Sequence, residues 1–282
     1  MLFNDGIPEV LYQAMLNDPY SPGDSDITVT RLIDSPRIRM LTKRHAEEIR
    51  EPASGRLWSL LGQAMHVILQ RADHDNTLKE ERLIVDFDGV RLGGQFDYYH
   101  DGHLVDFKIT SAWSYVFEDG KPKREHVAQL NVLAELLRQH GFPVTRLSNT
   151  LIFRDWMESK RDENRYPPAP SVGVLVPLWT SDVTRKYIAE RLAVHTAAEA
   201  MPDEGLPECS DQERWTKPPT FAVMKDGRKS AVRVLESRES ADALAEELGR
   251  NHSVEVRQGD DVRCLRYCAA WQFCAHGREV RA

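Results

Sequence analysis

Two Asp-Gly pairs, at positions 88–89 and 101–102, separate three runs of β-forming residues between positions 83 and 108. Asp-Gly between two such runs is the strongest short-range signal for a β-hairpin with a two-residue loop. The sequence therefore predicts an antiparallel meander in which the middle strand runs from Val90 to Tyr99. Because side chains alternate between the two faces of a strand, the position of each turn also determines which residues share a face.

The second turn sets a register that places Asp97 opposite Asp106 and Gln95 opposite Lys108, with all four side chains on one face. Directly opposed residues have Cβ atoms ~5 Å apart, where two like charges are destabilising. A divalent cation that bridges the carboxylates, with the lysine beside them, would offset this repulsion. The alternative is a solvated sheet face on which Lys108 neutralises one carboxylate. The apolar residues around Asp106 favour a buried strand instead.

Composition limits the class of protein. The chain has 282 residues, of which 41% are hydrophobic and 29% charged, and a net charge of −7. This acidic balance argues against a protein that coats nucleic acid, but an enzyme that holds nucleic acid in one local groove remains compatible with it. No apolar run approaches the length of a membrane span, and the first residues show no secretory signal. We therefore expect a cytoplasmic protein that does not contact a membrane.

Periodicity predicts helices at residues 57–71, 124–140 and 182–200, and apolar runs predict further strands at 147–153 and 172–178. With the meander, these elements define an α/β fold: a mixed sheet with a central antiparallel meander flanked by helices. A linker rich in proline and glycine follows Met201 and leads into a smaller α+β unit. The predicted division is residues 1–56 as an N-terminal lead-in with a basic helical segment, 57–200 as the core, and 201–282 as a small C-terminal unit that contains the cysteines.

Four motifs follow one another in a definite order. They are Gly62-Gln63-Ala64-Met65-His66, Gly94-Gln95-Phe96-Asp97, Asp106-Phe107-Lys108 and Gln129-Leu130-Asn131-Val132-Leu133. This order resembles the PD-(D/E)xK nuclease superfamily, specifically its RecB-like exonuclease branch, which includes many phage-encoded members. Leu133 departs from the tyrosine of that branch. The resemblance implies a restriction-endonuclease-like core and hydrolysis of DNA phosphodiester bonds.

The chemistry of these residues agrees with the resemblance. Phosphodiester hydrolysis needs a water of lowered pKa and stabilisation of charge on the phosphoryl oxygens. Asp97 and Asp106 would hold Mg²⁺ or Mn²⁺, since both are hard cations that prefer oxygen ligands. Lys108 would position the water or neutralise the phosphate.

The resemblance also implies roles for three further residues. His66 would be an additional metal ligand that favours Mn²⁺, and the backbone carbonyl of Ile109 would be another ligand. Gln129 would orient the water, Lys108 or the substrate. Outside the resemblance, a histidine on an apolar helix is more often structural. Glu81 is an open candidate, as a substrate or metal contact or as an exposed charge.

Some basic and aromatic residues are open candidates for DNA contacts. The basic run from Arg37 to Arg50 would follow a phosphate backbone or form a solvated helix face, and it contains Arg39, Lys43 and Arg44. Aromatic side chains would stack on bases or pack in the core; they are Trp58, Trp113 and Tyr115. The other histidines, including His100, His103 and His126, are expected at the surface.

The chain has four cysteines, Cys209, Cys264, Cys268 and Cys274. Clustered cysteines in a cytosolic protein bind metal more often than they form disulfides. Four thiolates suit a 4Fe–4S cluster or a tetrahedral Zn²⁺ site. The C-terminal triple resembles the iron–sulfur staple of some RecB-like nucleases, but in those proteins the lone cysteine precedes the core, whereas Cys209 follows it. The alternative is that these are buried cysteines acting as small apolar residues.

The leading interpretation is a divalent-metal-dependent deoxyribonuclease, favoured as an exonuclease, in phage or mobile-element recombination or repair. Two alternatives stay open. One is a DNA-end-binding module on a nuclease fold without turnover. The other is a CRISPR-adaptation-like nuclease that trims protospacers beside an integrase partner.

Overall fold

The computed structural model describes residues 1–72 and 75–282. Its strands are β1 (Leu2–Phe3), β2 (Ile27–Thr28), β3 (Glu51–Pro52), β4 (Thr77–Lys79), β5 (Arg82–Phe87), β6 (Val90–Gln95), β7 (Tyr98–His100), β8 (His103–Thr110), β9 (Arg146–Phe153), β10 (Ser171–Val176), β11 (Thr220–Lys225), β12 (Arg233–Leu235) and β13 (His252–Arg257). Its α-helices are α1 (Glu9–Leu16), α2 (Val29–Ile33), α3 (Pro36–Arg44), α4 (Leu57–Leu69), α5 (Ala112–Phe117), α6 (Arg124–Gln139), α7 (Ser181–Glu199), α8 (Asp211–Arg214), α9 (Arg238–Leu248) and α10 (Ala275–Arg281).

The chain packs into two compact units. The first unit comprises Met1–Asp34 and Arg50–Ala200, and the second comprises Ser35–Ile49 and Met201–Ala282. The divisions after residues 56 and 200 stay predictions. The packing places Ser35–Ile49, which the sequence groups with the N-terminal lead-in, within the second unit. Across the described part of the chain, every helix is too short or too polar to cross a bilayer.

The first unit contains the mixed sheet that the sequence predicts. Its larger sheet has the strand order β10-β9-β8-β7-β4, in which β8 and β9 run parallel and the other neighbours run antiparallel. A second sheet has the order β2-β6-β5. The helices predicted at 57–71, 124–140 and 182–200 are present as α4, α6 and α7. The mixed α/β class, with helices beside the sheets, is confirmed.

The middle strand of the predicted meander is interrupted at Phe96 and Asp97, so its two hairpins lie in different sheets. The register at the second turn is as predicted, with Tyr98 opposite Val105. The predicted pairing of Gln95 with Lys108 is wrong, because Gln95 pairs with Arg82 in β5. The interruption has a packing cause: Phe96 is only 1% exposed and inserts into the hydrophobic core.

Helix α6 is central to the core of the first unit. Its large buried apolar residues are Leu130, Val132, Leu133, Leu136 and Leu137. Strand β6 approaches α6 closely because Gly94 has no side chain: a Cβ there would lie 2.6 Å from Leu133 Cδ2. Packing therefore requires a glycine at position 94, in the second motif. Leu133, which stands where the RecB-like branch has a tyrosine, is the residue that packs against Gly94.

Helix α4 differs from α6 because none of its thirteen residues, all of them described, is buried. The apolar residues Leu57, Leu61 and Ile68 are exposed. Three other apolar residues of this helix, Leu60, Ala64 and Val67, line a cleft.

The second unit has a three-stranded antiparallel sheet with the order β12-β11-β13. Helix α3 is held to the rest of this unit by polar contacts. The Arg37 guanidinium donates to the carbonyl oxygen of Leu206 at 2.5 Å. His45 stacks on Phe273 with ring centroids 3.8 Å apart, and its Nε2 lies 2.7 Å from Asp203 Oδ2.

Candidate active site

The site begins with two residues on one face of β8. Asp106 is 2% exposed, and its Oδ1 accepts a hydrogen bond from Lys108 Nζ at 2.9 Å. Its Oδ2 accepts from Asn149 Nδ2 of β9 at 2.8 Å. Lys108 Nζ also donates to Gln129 Oε1 of α6 at 3.3 Å. The structure thus brings together three of the predicted catalytic residues and adds Asn149, which the sequence analysis missed.

These contacts set the charge state of Lys108. Burial lowers the pKa of the ammonium, but the charge and hydrogen bond of Asp106 outweigh burial and raise the pKa above its usual value. His126 lies near this cation. Burial, with the charge of Lys108, lowers the pKa of His126 to about 4. His126 was expected at the surface, but it is half-buried and neutral at physiological pH.

Asp97 lies in the break between β6 and β7 and contacts β8 between Asp106 and Lys108. Its Oδ2 accepts a hydrogen bond from the backbone amide of Phe107 at 2.7 Å. Burial, followed by the negative charge of Asp106, raises the pKa of Asp97 to about 7. Two carboxylates that compete for ionisation in a buried site are the arrangement that a divalent cation stabilises.

His66 and Glu80 complete a group of candidate ligands around Asp97. His66 Nδ1 lies 2.8 Å from Glu80 Oε1 and 3.9 Å from Asp97 Oδ1. One ligand atom from each of these three residues lies within 4.8 Å of the others. The hydrogen bond to Glu80 is the main reason that the pKa of His66 is raised.

Glu80 is the second residue that the sequence analysis missed. The neighbouring Glu81 was the candidate, but Glu81 is exposed. Glu80 has a left-handed backbone, with φ 53°, and its amide donates to the Asp97 carbonyl oxygen at 3.0 Å. A carboxylate next to a strand was the available signal, but a turn at a non-glycine residue leaves no pattern in the sequence.

The backbone of β8 bears on the predicted role of Ile109. The carbonyl oxygen of Thr110 accepts from Arg154 on the β9 side. Successive carbonyls in a strand point to opposite edges, so the carbonyl of Ile109 faces the other edge. On that edge the Phe107 amide meets Asp97. The role of Ile109 as a ligand stays a prediction, and this orientation supports it.

A cleft of about 800 Å³ opens onto this group. Residues of α4 form part of its lining, together with β6 and the segment from Asp18 to Ser21. His66, Glu80, Asp97 and Gln129 all face it. The N-terminal lead-in, through Asp18 to Ser21, therefore contributes to the site.

The basic and aromatic residues predicted as DNA contacts are not among the described residues that line this cleft. Arg39, Lys43 and Arg44 belong to α3 in the second unit, where Arg44 Nη1 donates to Asp203 Oδ1 at 2.7 Å. Their role in DNA binding stays a prediction. Among the aromatic candidates, Trp58 and Trp113 are exposed, whereas Tyr115 packs against Phe153. None of these three is among the described residues that line the cleft.

The four cysteines line one cavity of about 400 Å³ in the second unit. Arg37 Nη1 lies 3.7 Å from Cys274 Sγ, and Ser35 Oγ lies 3.1 Å from Cys209 Sγ. Burial raises the pKa of the Cys209 thiol to about 11. Burial also raises the pKa of Cys264 and of Cys268. The sequence left the place of Cys209 uncertain, and the structure puts it on the same cavity as the triple.

No protein-family model matches the chain, and no curated protein matches it. A solved structure, the crystal structure of SSO0001, is similar with 14% identity and a TM-score of 0.45, covering 73% of this chain and 87% of that one. An alkaline exonuclease (LHK-Exo) from Laribacter hongkongensis is similar with 13% identity and a TM-score of 0.39, covering 68% of this chain and 95% of that one.

Proposed function

We propose that this protein is a divalent-metal-dependent deoxyribonuclease that acts as an exonuclease on DNA. The observation that supports it is one connected group of side chains: Lys108 bonds to Asp106, Asp97 accepts from the Phe107 amide between them, and His66 lies 3.9 Å from Asp97. Asp97 and His66 face the cleft. Carboxylates beside a fixed ammonium match the needs of phosphodiester hydrolysis, in which negative charge grows on phosphoryl oxygens. A role in phage or mobile-element recombination or repair, with a recombination or integrase partner, belongs to the proposal through the resemblance alone.

Each residue has a distinct role in this proposal. Asp97 and Asp106 hold Mg²⁺ or Mn²⁺, with His66, Glu80 and the Ile109 carbonyl as further ligands. The bound ion would supply a water of lowered pKa and charge stabilisation at the phosphate. The imidazole of His66 makes Mn²⁺ the better match, because Mg²⁺ accepts nitrogen ligands less readily.

Lys108 acts on the substrate or the water, and Gln129 and Asn149 orient the catalytic groups. Lys108 donates hydrogen bonds to the water or to a phosphate oxygen, and Gln129 orients the ammonium that it already contacts at 3.3 Å. Asn149 holds the carboxylate of Asp106 in place.

The test is hydrolysis of linear DNA by Asp106→Asn and Lys108→Met. We expect each variant to release nucleotides at least on the order of 10²-fold more slowly than wild type with Mg²⁺ or Mn²⁺, while circular dichroism stays unchanged. Asp101→Asn is the matched control, since Asp101 is an exposed aspartate in the turn of the same hairpin. Full activity in the Asp106 and Lys108 variants would refute the assignment.

The same assay separates the alternatives. Linear and circular DNA are incubated with Mn²⁺ or with EDTA. Binding without metal-dependent cleavage on any substrate would support the DNA-end-binding module, which the complete set of acidic residues and lysine argues against. Removal of only a few nucleotides from overhangs would support the protospacer-trimming nuclease.

We also propose that the second unit holds a 4Fe–4S cluster. All four cysteines line the 400 Å³ cavity, and four thiolates are the ligands that a 4Fe–4S cluster takes. A zinc site is the alternative, because ligand atoms of Asp261, Cys264 and His276 lie within 4.8 Å of one another. The Arg37 guanidinium beside Cys274 complements the negative charge of thiolate ligands.

Anaerobic purification tests the cluster. We expect brown protein that bleaches in air and loses thermal stability, because metal binding contributes directly to the folding of a small unit. Cys268→Ser should give colourless protein of lower solubility. A colourless wild type with one equivalent of zinc would replace the cluster by a zinc site, and a stable metal-free wild type would exclude both. These outcomes leave the nuclease proposal unaffected.

A further inference from the structure

Tyr20 stands out among the residues that line the cleft. Tyr20 is 62% exposed. Hydrogen bonds nevertheless fix the backbone that precedes it. The Tyr20 amide donates to Asp18 Oδ1 at 3.0 Å, and Asp18 Oδ2 accepts from Gln63 Nε2 of α4 at 3.1 Å. The result is an aromatic ring that is held at the cleft with most of its surface open.

The ring of Tyr20 is paired with a cation. The Arg82 guanidinium lies 5.5 Å from the centre of the ring, and Arg82 also lines the cleft. A guanidinium over an aromatic ring is a favourable cation–π contact. Among the described cleft residues, Arg82 is the sole lysine or arginine.

Consecutive hydrogen bonds join this pair to the candidate metal ligands. Arg82 Nη2 donates to Gln95 Oε1 at 3.2 Å, and Gln95 Nε2 donates to Glu80 Oε2 at 3.0 Å. Glu80 in turn contacts His66 at 2.8 Å. A group stacked on Tyr20 would therefore lie within the same cleft as the reacting phosphate. Two side chains, Arg82 and Gln95, would separate it from the candidate ligands Glu80 and His66.

The chemistry of this pair matches one kind of ligand. Proteins that bind single strands combine exposed aromatic rings, on which bases stack, with cations that contact the phosphates. A cleft of about 800 Å³ has the size of a small-ligand site. This volume is enough for a few nucleotides of one strand.

We propose that Tyr20 and Arg82 form a subsite for an unpaired nucleotide, with the base on the Tyr20 ring and a phosphate on Arg82, so that the substrate enters the cleft as single-stranded DNA. This inference rests on the proposed nuclease function and names its substrate class.

The first experiment measures equilibrium binding of a labelled single-stranded oligonucleotide and a blunt duplex in EDTA. We expect wild type to prefer the single strand. Tyr20→Ala should weaken single-strand binding about 5- to 150-fold, the range expected for loss of one stacked base. Tyr20→Phe should bind like wild type because it keeps the ring. Phe117→Ala is the surface control, since Phe117 is 78% exposed and does not line the cleft.

The salt dependence provides an independent readout for Arg82. For a single strand, log K falls with log salt by about 0.7 for each neutralised phosphate. Arg82→Gln should reduce the slope by about that amount, whereas Tyr20→Ala should leave the slope unchanged. An oligonucleotide with abasic terminal positions should bind wild type and Tyr20→Ala equally well, because the stacking partner is then absent from both complexes.

The outcomes separate this inference from the nuclease proposal. If wild type hydrolyses DNA but Tyr20→Ala binds single strands like wild type, the subsite is refuted and the nuclease stands. If binding changes as expected but no DNA is hydrolysed with any divalent ion, the subsite stands and the nuclease proposal fails. Equal wild-type affinity for the single strand and the blunt duplex would overturn the inference about the substrate.

Discussion

Gly94→Ala should destabilise the first unit because β6 has no room for a side chain at this position. An added Cβ would lie 2.6 Å from Leu133 Cδ2, 2.7 Å from Val29 Cγ2 and 3.0 Å from Leu136 Cδ1. All three neighbours are buried, so none of them can turn into solvent to make room. The substitution must therefore separate β6 from α6 and α2 or force side chains off their preferred rotamers.

The magnitude follows from two opposing effects. Overpacking of a well-packed core costs about 1–3 kcal/mol. Replacing glycine by alanine restricts the unfolded chain and recovers about 0.4–1 kcal/mol. The two effects together give a net loss of about 0–2.6 kcal/mol. Because the added Cβ would lie less than 3.0 Å from two buried atoms, we expect the free energy of unfolding to fall by about 1–2.6 kcal/mol, the upper part of this range. Activity should fall as well, because Asp97 lies three residues further along the same chain segment.

Equilibrium denaturation of wild type, Gly94→Ala and Gly173→Ala tests this reasoning. Gly173 is the matched control, a glycine in a strand at which an added Cβ meets nothing within 4 Å. We expect the control to unfold at the wild-type denaturant concentration or slightly above it. In the double variant with Leu133→Ala, the Gly94 substitution should cost less than it does alone, since the closest neighbour has been shortened. Wild-type stability of Gly94→Ala would refute the packing argument.

Two further predictions concern hydrogen-bonded carboxylates. Asn149→Ala removes the donor to Asp106 Oδ2 and should weaken binding of Mn²⁺ about 10- to 100-fold in a calorimetric titration. Unchanged affinity would show that Asn149 does not support metal binding. In the second unit, hydrogen bonds to Asp203 and then to Glu48 raise the pKa of His45. Its contribution to stability should therefore be complete below about pH 6.5 and be lost as the pH rises through the higher folded-state pKa, as measured by thermal unfolding across pH. Asp203→Asn should flatten this dependence, and an unaltered pH profile would contradict the assignment.

The sequence predicts some parts of the fold because local chemistry determines them. The turn at 101–102 determined the pairing of Tyr98 with Val105, since a two-residue loop permits one register. The interruption at Phe96 was not predictable, because β-forming residues continue through it. It depends on burial of Phe96 against distant parts of the chain and on the bond between the Glu80 amide and the Asp97 carbonyl. Tertiary packing of this kind overrides the local preference for a strand.

The residues of the candidate site also divide into those that the local sequence predicts and those that depend on tertiary packing. The contacts of Lys108 with Asp106 and Gln129, and the proximity of His66 to Asp97, agree with the motifs from which these residues were selected together. Their roles stay predictions. Glu80, Asn149 and Tyr20 were not predictable, because each gains its place from contacts between distant segments: Asn149 reaches Asp106 across 43 positions of the chain. The apolar periodicity of α4 likewise predicted a helix without showing that Leu60, Ala64 and Val67 would line a cleft.

Arg37 shows how a correct local prediction can miss a side chain's role. The basic run that begins there predicted a helix with charges in solvent or on DNA, and the helix is present as α3. Arg37 is nevertheless buried, because its guanidinium donates to the carbonyl oxygens of Leu206 and Pro207 and lies beside the sulfur of Cys274. A buried guanidinium is tolerated only where acceptors satisfy its N–H groups. Those acceptors come from a segment that starts more than 160 residues later in the chain, so composition around Arg37 could not reveal them.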